Sequence, residues 1–271
     1  MTVREMINTF QGSAKTILDK AYGKLGLVPQ HGITEESVER ERLELSTYDY
    51  IFASNSLVEA SLIEANIKPE KILRSSFGWN PSKLARSSSA KQERATFTAL
   101  FVGTISVRKG VPQLLEAWRQ SGVAGELILA GGVERALKPL LEKYSEQSVR
   151  FLDYVPDVGQ LYHSADVFVF PTLEEGGPQV SYEAAGCGLP VITTPMGAGR
   201  IIKDGINGLI VEANDVSGLA KSLSQIASST DLRSRLARQA TLDAERYAYE
   251  KIGLERSMIL RDLIDRRRGK R

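Results

Sequence analysis

Hydrophobic and polar positions along the chain follow two different periods. From Thr98 to about Ala227, short β-rich apolar runs alternate with helix-length amphipathic stretches, the pattern of a parallel sheet wrapped by helices. The apolar runs predict strands over Thr98 to Gly103, Glu126 to Ala130, Val149 to Leu152, Asp166 to Phe170, Pro190 to Thr194 and Gly208 to Val211. Helices are expected between them, near Val111 to Gln120, Glu134 to Glu146, Val158 to Ser164, Val180 to Cys187 and Val216 to Ala227. Six strands joined by five crossovers make a doubly wound α/β domain.

Upstream, the same periods recur over a shorter span. A charged helix is expected over Glu35 to Leu45, an apolar run over Tyr48 to Ala53, a helix from about Asn55 to Ala65 and a short strand over Lys71 to Ser75. This is βαβ material with about two strands, too little for a complete Rossmann-like domain. Between the two regions, Pro81 to Ala95 (PSKLARSSSAKQERA) is serine-rich, charged and poor in apolar residues, the composition of a surface linker. Downstream, Asp231 to Ile264 reads as one or two long amphipathic helices able to pack on either domain, with Leu242, Tyr247, Ile252, Leu254, Met258, Leu260 and Leu263 among their apolar positions. The organisation expected is therefore an N-terminal region and linker over 1–94, an α/β domain over 95–240 and a closing helix with a basic tail over 241–271.

Composition narrows the class. With 42% hydrophobic and 25% charged residues the chain can bury a core, which excludes disorder and collagen-like repeats. The net charge of +2 is misleading, because Arg266, Arg267, Arg268, Lys270 and Arg271 crowd the end; without them 30 cations face 33 acids. The body thus lacks the basic excess of a nucleic-acid binder. The tail reads as a solvated end, with an anionic membrane surface as its alternative partner. A single cysteine, Cys187, excludes an intramolecular disulfide and a CxxC pair. The first residues lack the apolar core of a signal peptide, and no stretch reaches the ~18 apolar residues of a membrane helix, so the expected location is cytoplasmic, or peripheral at the inner membrane face.

Ligands of an open parallel sheet bind beyond the carboxyl ends of the strands, so the loops there are where chemistry is sought. Gly103-Thr104-Ile105-Ser106-Val107-Arg108-Lys109-Gly110 follows a strand and precedes a helix. Glycine, free helix amides and two cations together would make an anion site; the alternative is a solvated basic loop. Pro171 to Ala184 (PTLEEGGPQVSYEA) also spans a strand end and a helix start, with Pro178 suited to a first turn and the amides of Gln179 and Val180 free to face an anion. Glu175 and Glu183 would repel phosphate, so they suit neutral hydroxyls instead. Their alternatives are dipole stabilisation for Glu183 and an exposed acidic loop for Glu174 and Glu175.

Glu175 and Glu183 are separated by seven intervening residues in EGGPQVSYEAAGCGLPVI, which resembles the E-x7-E motif of group 1 glycosyltransferases, family four, of the GT-B fold. The similarity extends to Phe101 to Trp118, Ala165 to Thr172 and Pro195 to Val211, upstream to Glu39 to Ile72, and downstream to Glu245 to Ile252. The resemblance implies a GT-B-like protein with a complete C-terminal donor domain and a partial N-terminal, acceptor-side one. Its implied activity is retaining transfer of a hexose from a nucleoside diphosphate sugar to a hydroxyl of a sugar or lipid acceptor. Position by position, Arg108 and Lys109 would hold the diphosphate and stabilise the leaving group, Glu175 would grip donor-hexose hydroxyls, and Glu183 the ribose. Gly103 and Thr104 would line the donor. Amides around Gly177, Gln179 and Val180 would line the sugar and β-phosphate, with Pro178 between them in the donor site, and Tyr154-Val155-Pro156 would receive the base. No DxD triplet occurs, so neither a cofactor nor an essential metal is expected. Thr104 stands where the family commonly has a basic residue, and Gly177 where it commonly has an aromatic one. The competing reading is a nucleotide-sugar-binding fragment or split subunit that needs a partner chain to complete its N-terminal domain.

Other constellations are weaker. His31 and His163 have no Ser or Asp pattern suggesting a triad and read as surface or satisfied structural histidines. Gly197-Ala198-Gly199 is followed by Ile202 where a dinucleotide fingerprint needs glycine. Cys187, among small residues, reads as a packing residue. Trp79 suits a hinge-side loop or a packing role.

Overall fold

A computed structural model describes residues 1–84, 96–144 and 148–269, and among these the chain forms two parallel sheets. The first contains β1 (Val3–Glu5), followed by α1 (Gln11–Lys24) and α2 (Glu35–Thr47), then β2 (Tyr50–Ala53), α3 (Ser56–Glu64) and β3 (Ile72–Arg74), in the order β1-β2-β3. The second contains β4 (Phe97–Val102), α4 (Val111–Ser121), β5 (Gly125–Ala130), α5 (Lys138–Leu141), β6 (Val149–Leu152), α6 (Val158–Ser164) and β7 (Val167–Phe170). It continues through α7 (Gln179–Gly186), β8 (Val191–Thr193), α8 (Pro195–Ala198) and β9 (Gly208–Ile210) to α9 (Val216–Ser228), and two further helices, α10 (Thr230–Ala244) and α11 (Tyr249–Arg268), close the chain.

The strand order of the second sheet is β6-β5-β4-β7-β8-β9, the doubly wound order expected, with the direction of winding reversing between β4 and β7. Its central strands are buried on both faces: Ala99, Leu100 and Phe101 of β4 and Val167, Phe168 and Val169 of β7 are fully enclosed. At roughly 25 cal/mol per Å² of apolar surface removed from water, this layer supplies most of the driving force for folding. The helix expected over Glu134 to Glu146 is not continuous. Pro139 lacks an amide hydrogen and opens a new first turn, so among the described residues of this stretch only Lys138–Leu141 is α-helical, between single 3-10 turns at Arg135–Leu137 and Glu142–Tyr144.

The first sheet has three strands rather than about two. β1 is paired in parallel with β2, Arg4 opposite Ile51, and it is followed by α1, which the expected elements omitted. Helix α1 joins the two cores. Phe10, just before it, packs in the smaller cluster with Leu45 and Ile51, whereas Leu18, Ala21 and Tyr22 belong to the larger one.

The last two helices divide their allegiance. α10 lies on α7 and α9, while α11 returns to the first sheet, where Arg256 donates to the Ser75 hydroxyl (2.7 Å) and the Ser76 carbonyl (2.9 Å) and pairs with Glu5 (2.7 Å). Leu242, Leu254 and Met258, expected on buried faces, are exposed instead; α11 is held by Ile252 and its arginines, not by a broad apolar stripe. The basic end is partly structured: Arg266 pairs with Asp262 and Arg267 with Asp49, at 2.8 and 2.6 Å. Lys270 and Arg271 lie outside the described residues, as does 85–95, the greater part of the stretch read as linker. Leu84, near that stretch's start, is buried in the larger core. No helix among the described residues is long and apolar enough to cross a membrane.

Trp79 is a packing residue at the crossing of these elements. Its indole donates to the Ala244 carbonyl at 2.9 Å, and its ring lies where a side chain at Gly186 would be. Both histidines are satisfied structurally, His31 with Asp19 and the Ile33 amide, His163 with the Leu84 carbonyl. Cys187 is half-buried, and burial pushes its thiol up to about 12, so it is no nucleophile.

Candidate active site between the two sheets

The 103–110 loop leaves β4 and the 171–178 loop leaves β7, so the reversal of strand order brings the two expected loops side by side. They are stitched together by the backbone: the Leu173 amide donates to the Arg108 carbonyl at 2.9 Å, and the Thr172 hydroxyl does so at 3.3 Å. Gly110 makes the contact sterically feasible. It adopts a left-handed conformation (φ 69°), and a Cβ there would lie 2.0 Å from the Pro171 carbonyl oxygen.

This contact assembles four charges. Lys109 forms an ion pair with Glu175, and Arg108 pairs with Glu174 at 2.7 Å while lying 4.0 Å from Glu175. Neither glutamate belongs to an exposed acidic loop: Glu174 is 2% and Glu175 8% accessible. The basic loop is not simply solvated either, because the Lys109 side chain is only 15% accessible and its ammonium lies 5.4 Å from the centre of the Phe170 ring. Burial lowers the Lys109 pKa from its ordinary value, outweighing the attraction of Glu175; the neighbouring Arg108 charge pushes the same way as burial.

Glu174 is a joint between the two sheets. Its Oε1 accepts from the Thr9 amide (3.1 Å) and hydroxyl (2.8 Å), while Arg108 also donates to Asn8 Oδ1 at 2.6 Å. Two residues on, the Gly176 carbonyl accepts from the Ser54 hydroxyl and from Asn55 Nδ2. Asn55 meanwhile caps α3 by accepting from the Leu57 and Val58 amides. Gly176 is required here, since a Cβ would fall 2.3 Å from the Asn8 backbone. The aromatic position that Gly177 vacates is filled from elsewhere in the chain, because the Phe77 ring occupies the space a side chain at 177 would take.

A second brace reaches the basic loop from α1. The Tyr22 hydroxyl donates to Glu134 Oε1, and Glu134 Oε2 accepts from the Val107 amide at 2.9 Å, directly before Arg108. Burial, reinforced by Glu134, raises the Tyr22 pKa and keeps it a donor.

Glu183 faces a different neighbourhood. It stands on α7, where its carboxylate accepts from the buried Tyr162 hydroxyl at 3.0 Å and from Gln179 Nε2 at 2.8 Å. Gly103 and Thr104 lie at the carboxyl end of β4, Thr104 exposed. Pro178 precedes α7, Gln179 and Val180 open it, and none of the three sits in the four-charge cluster; the Gln179 amide, expected free, donates instead to the Gly177 carbonyl at 2.7 Å, closing a tight turn over Pro178. Tyr154, Val155 and Pro156 follow β6, with Tyr154 83% accessible; among the described residues no hydrogen bond ties this loop to Glu183 or Lys109. Asn8, Thr9, Ser54, Asn55, Phe77, Tyr22 and Glu134 were not expected at the site. For Tyr22 the sequence signal is the apolar spacing Ala14, Ile17, Leu18, Ala21, Tyr22 of α1, a stripe made faint by its alanines.

Two Rossmann-like sheets, a closing helix that returns to the first of them, and a charged cluster in the cleft between define a protein of the GT-B fold. Solved structures agree at that level. The chain is similar to Anabaena HepE, crystallised with UDP and glucose, at a TM-score of 0.77 with 18% identity over 84% of this chain and 68% of that one. It is similar as well to sucrose-phosphate synthase from Thermosynechococcus elongatus, at a TM-score of 0.78 with 22% identity over 92% and 66%. Residues 96–229 match the family described as Glycosyl transferases group 1. Among curated relatives, an uncharacterised glycosyltransferase of Haemophilus influenzae is 29% identical over 64% of this chain and 51% of its own length. The O-antigen chain mannosyltransferase B of Escherichia coli is 28% identical over 56% and 42%. The chain spans about half the length of the curated relatives it matches.

Proposed function

We propose that this protein binds a nucleoside diphosphate sugar and transfers its hexose, with retention, to an acceptor hydroxyl. The observation that carries the reading is the Lys109–Glu175 pair, held at the point where strand order reverses and flanked by Arg108. An ammonium has three donor hydrogens, so Lys109 can turn from the carboxylate toward a diphosphate, which carries more charge. Its release leaves Glu175 free to accept from hexose hydroxyls. The anomeric C–O bond then breaks with its electron pair passing to the nucleoside diphosphate, and the acceptor oxygen bonds to the anomeric carbon on the same face while its proton passes to the departing diphosphate oxygen. Arg108 and Lys109 stabilise the charge that develops on the leaving group, a contribution worth roughly 10²–10³ in rate for a single well-placed donor. Glu183, oriented by Tyr162, takes the ribose hydroxyls. Thr104 and the amides of Gly177 and Val180 line the donor, and Tyr154 to Pro156 face the base. No metal enters this reading.

Calorimetric titration of UDP-, GDP- and ADP-glucose into wild type, Lys109→Ala and Glu183→Ala tests it. Binding of one donor by wild type and at least tenfold weaker binding by both variants is expected. Undiminished binding in both variants overturns the site.

A further inference from the structure

A cavity of about 380 Å³ lies over the carboxyl ends of β8 and β9, with Leu173 of the loop that follows β7 in its wall. Its walls come from both halves of the molecule: Ile17 on α1 and Leu57 on α3 face Leu173 and Met196. This size suits a small ligand. Two cations, Lys20 and Lys24, stand one helical turn apart on the same face of α1 and line the opening. Neither makes an ion pair among the described residues, in contrast to Lys15 of the same helix, which is held by Asp19 at 2.8 Å and Glu35 at 3.1 Å. Glu212 is the single carboxylate in the lining, so the cavity keeps one net positive charge. Asn214, held by Gln113 at 2.9 Å in a left-handed conformation (φ 68°), adds a polar edge.

We infer that this cavity is a binding site for an acceptor in which an apolar part adjoins an anionic group of the phosphate class, the anion lying on Lys20 and Lys24. An apolar floor alone would take any hydrophobic ligand, and two lysines alone any anion; their juxtaposition selects a molecule with both. The role as acceptor rests on the glycosyl-transfer reading above. Leu173 lines the cavity and Glu175 lies two residues further along the same loop, so a ligand seated here places its free end beside the donor hexose.

Calorimetry with phenyl phosphate, phenyl glucoside and inorganic phosphate tests the site on the full chain. Phenyl phosphate should bind wild type at least tenfold more tightly than either of the others. It should lose at least tenfold in the Lys20→Ala/Lys24→Ala double variant, and again in Ala213→Trp, where an exposed position is used to fill the cavity without disturbing the core. Melting temperatures of both variants should match wild type, and Lys109→Ala should bind phenyl phosphate normally. No binding to wild type overturns the inference, as does equal binding to the double variant, or a loss confined to Lys109→Ala, which would move the ligand to the basic loop. UDP-glucose titrated in parallel separates the two readings. If phenyl phosphate obeys the lysines while no sugar nucleotide binds, the cavity stands and glycosyl transfer falls.

Discussion

The six-stranded sheet and the three-stranded sheet obey the same parallel topology but differ in what holds them. The former encloses whole side chains between helices, with β4 beyond Phe97 and all of β7 buried, whereas the latter has three short strands whose residues are half-exposed at both edges. Its stability draws on polar attachments: Arg256 and Arg267 reach it from α11, and Thr9 and Asn55 tie it to Glu174 and Gly176. The candidate site lies along this seam. The larger sheet supplies the charged residues, and the smaller one supplies hydrogen bonds that aim them.

If the seam is what joins the halves, its buried carboxylate matters most. Glu174→Ala strands Arg108 and two donors of Thr9, and should cost about 3–5 kcal/mol, the usual consequence of breaking a buried, hydrogen-bonded ion pair. Urea denaturation would register this as a lower midpoint, and a cost under 1 kcal/mol would break the comparison. Gly110→Ala probes the contact between the two site loops. A left-handed alanine costs about 1–2 kcal/mol before the clash with Pro171 is added, so a loss of roughly 2 kcal/mol or more is expected from the same measurement. An unchanged midpoint would mean that the loops separate freely.

The Tyr22→Phe variant removes only a hydroxyl and should cost about 1 kcal/mol. Because Glu134 would then hold Val107 without its own restraint, donor affinity should fall as well; stability lost with donor affinity intact would make α1 a packing helix alone. The finest test is pH. The folded Lys109 pKa is depressed, so between that value and the ordinary 10.5 the unfolded chain binds more protons. Stability from this group therefore rises with pH across that window, the cost of burying the ammonium being relieved as it deprotonates. Denaturation from pH 8 to 10.5 should show this rise in wild type relative to Lys109→Met, and parallel profiles would refute it.

The parts readable in advance share a physical cause. Strands such as TALFVG are buried on both faces, so nearly every residue is apolar and a run appears in the sequence; all six strands of the large sheet lie within two residues of their expected ends. β1 has three residues, Val3-Arg4-Glu5, too few and too polar to make such a run. The charged residues of the two loops were equally visible, since a helix start beside cations or carboxylates has a local signature. The partnership of Thr9 with Glu174 was not, because 165 residues separate them. The exposure of Leu254 and Met258 was also hidden, since an apolar period says which face could be buried and not whether anything covers it.

By itself, then, the sequence determined the doubly wound sheet, the two loops at its carboxyl ends and the spacing of Glu175 and Glu183, all of which depend on neighbours within one turn or one strand. Only the tertiary structure decided that Lys109 is paired with Glu175, that Glu174 is a buried joint rather than a surface acid, and that Phe77 fills the space beside Gly177. Those outcomes depend on which distant segments share a desolvated cleft, where a charge must find a partner at whatever separation along the chain the fold provides.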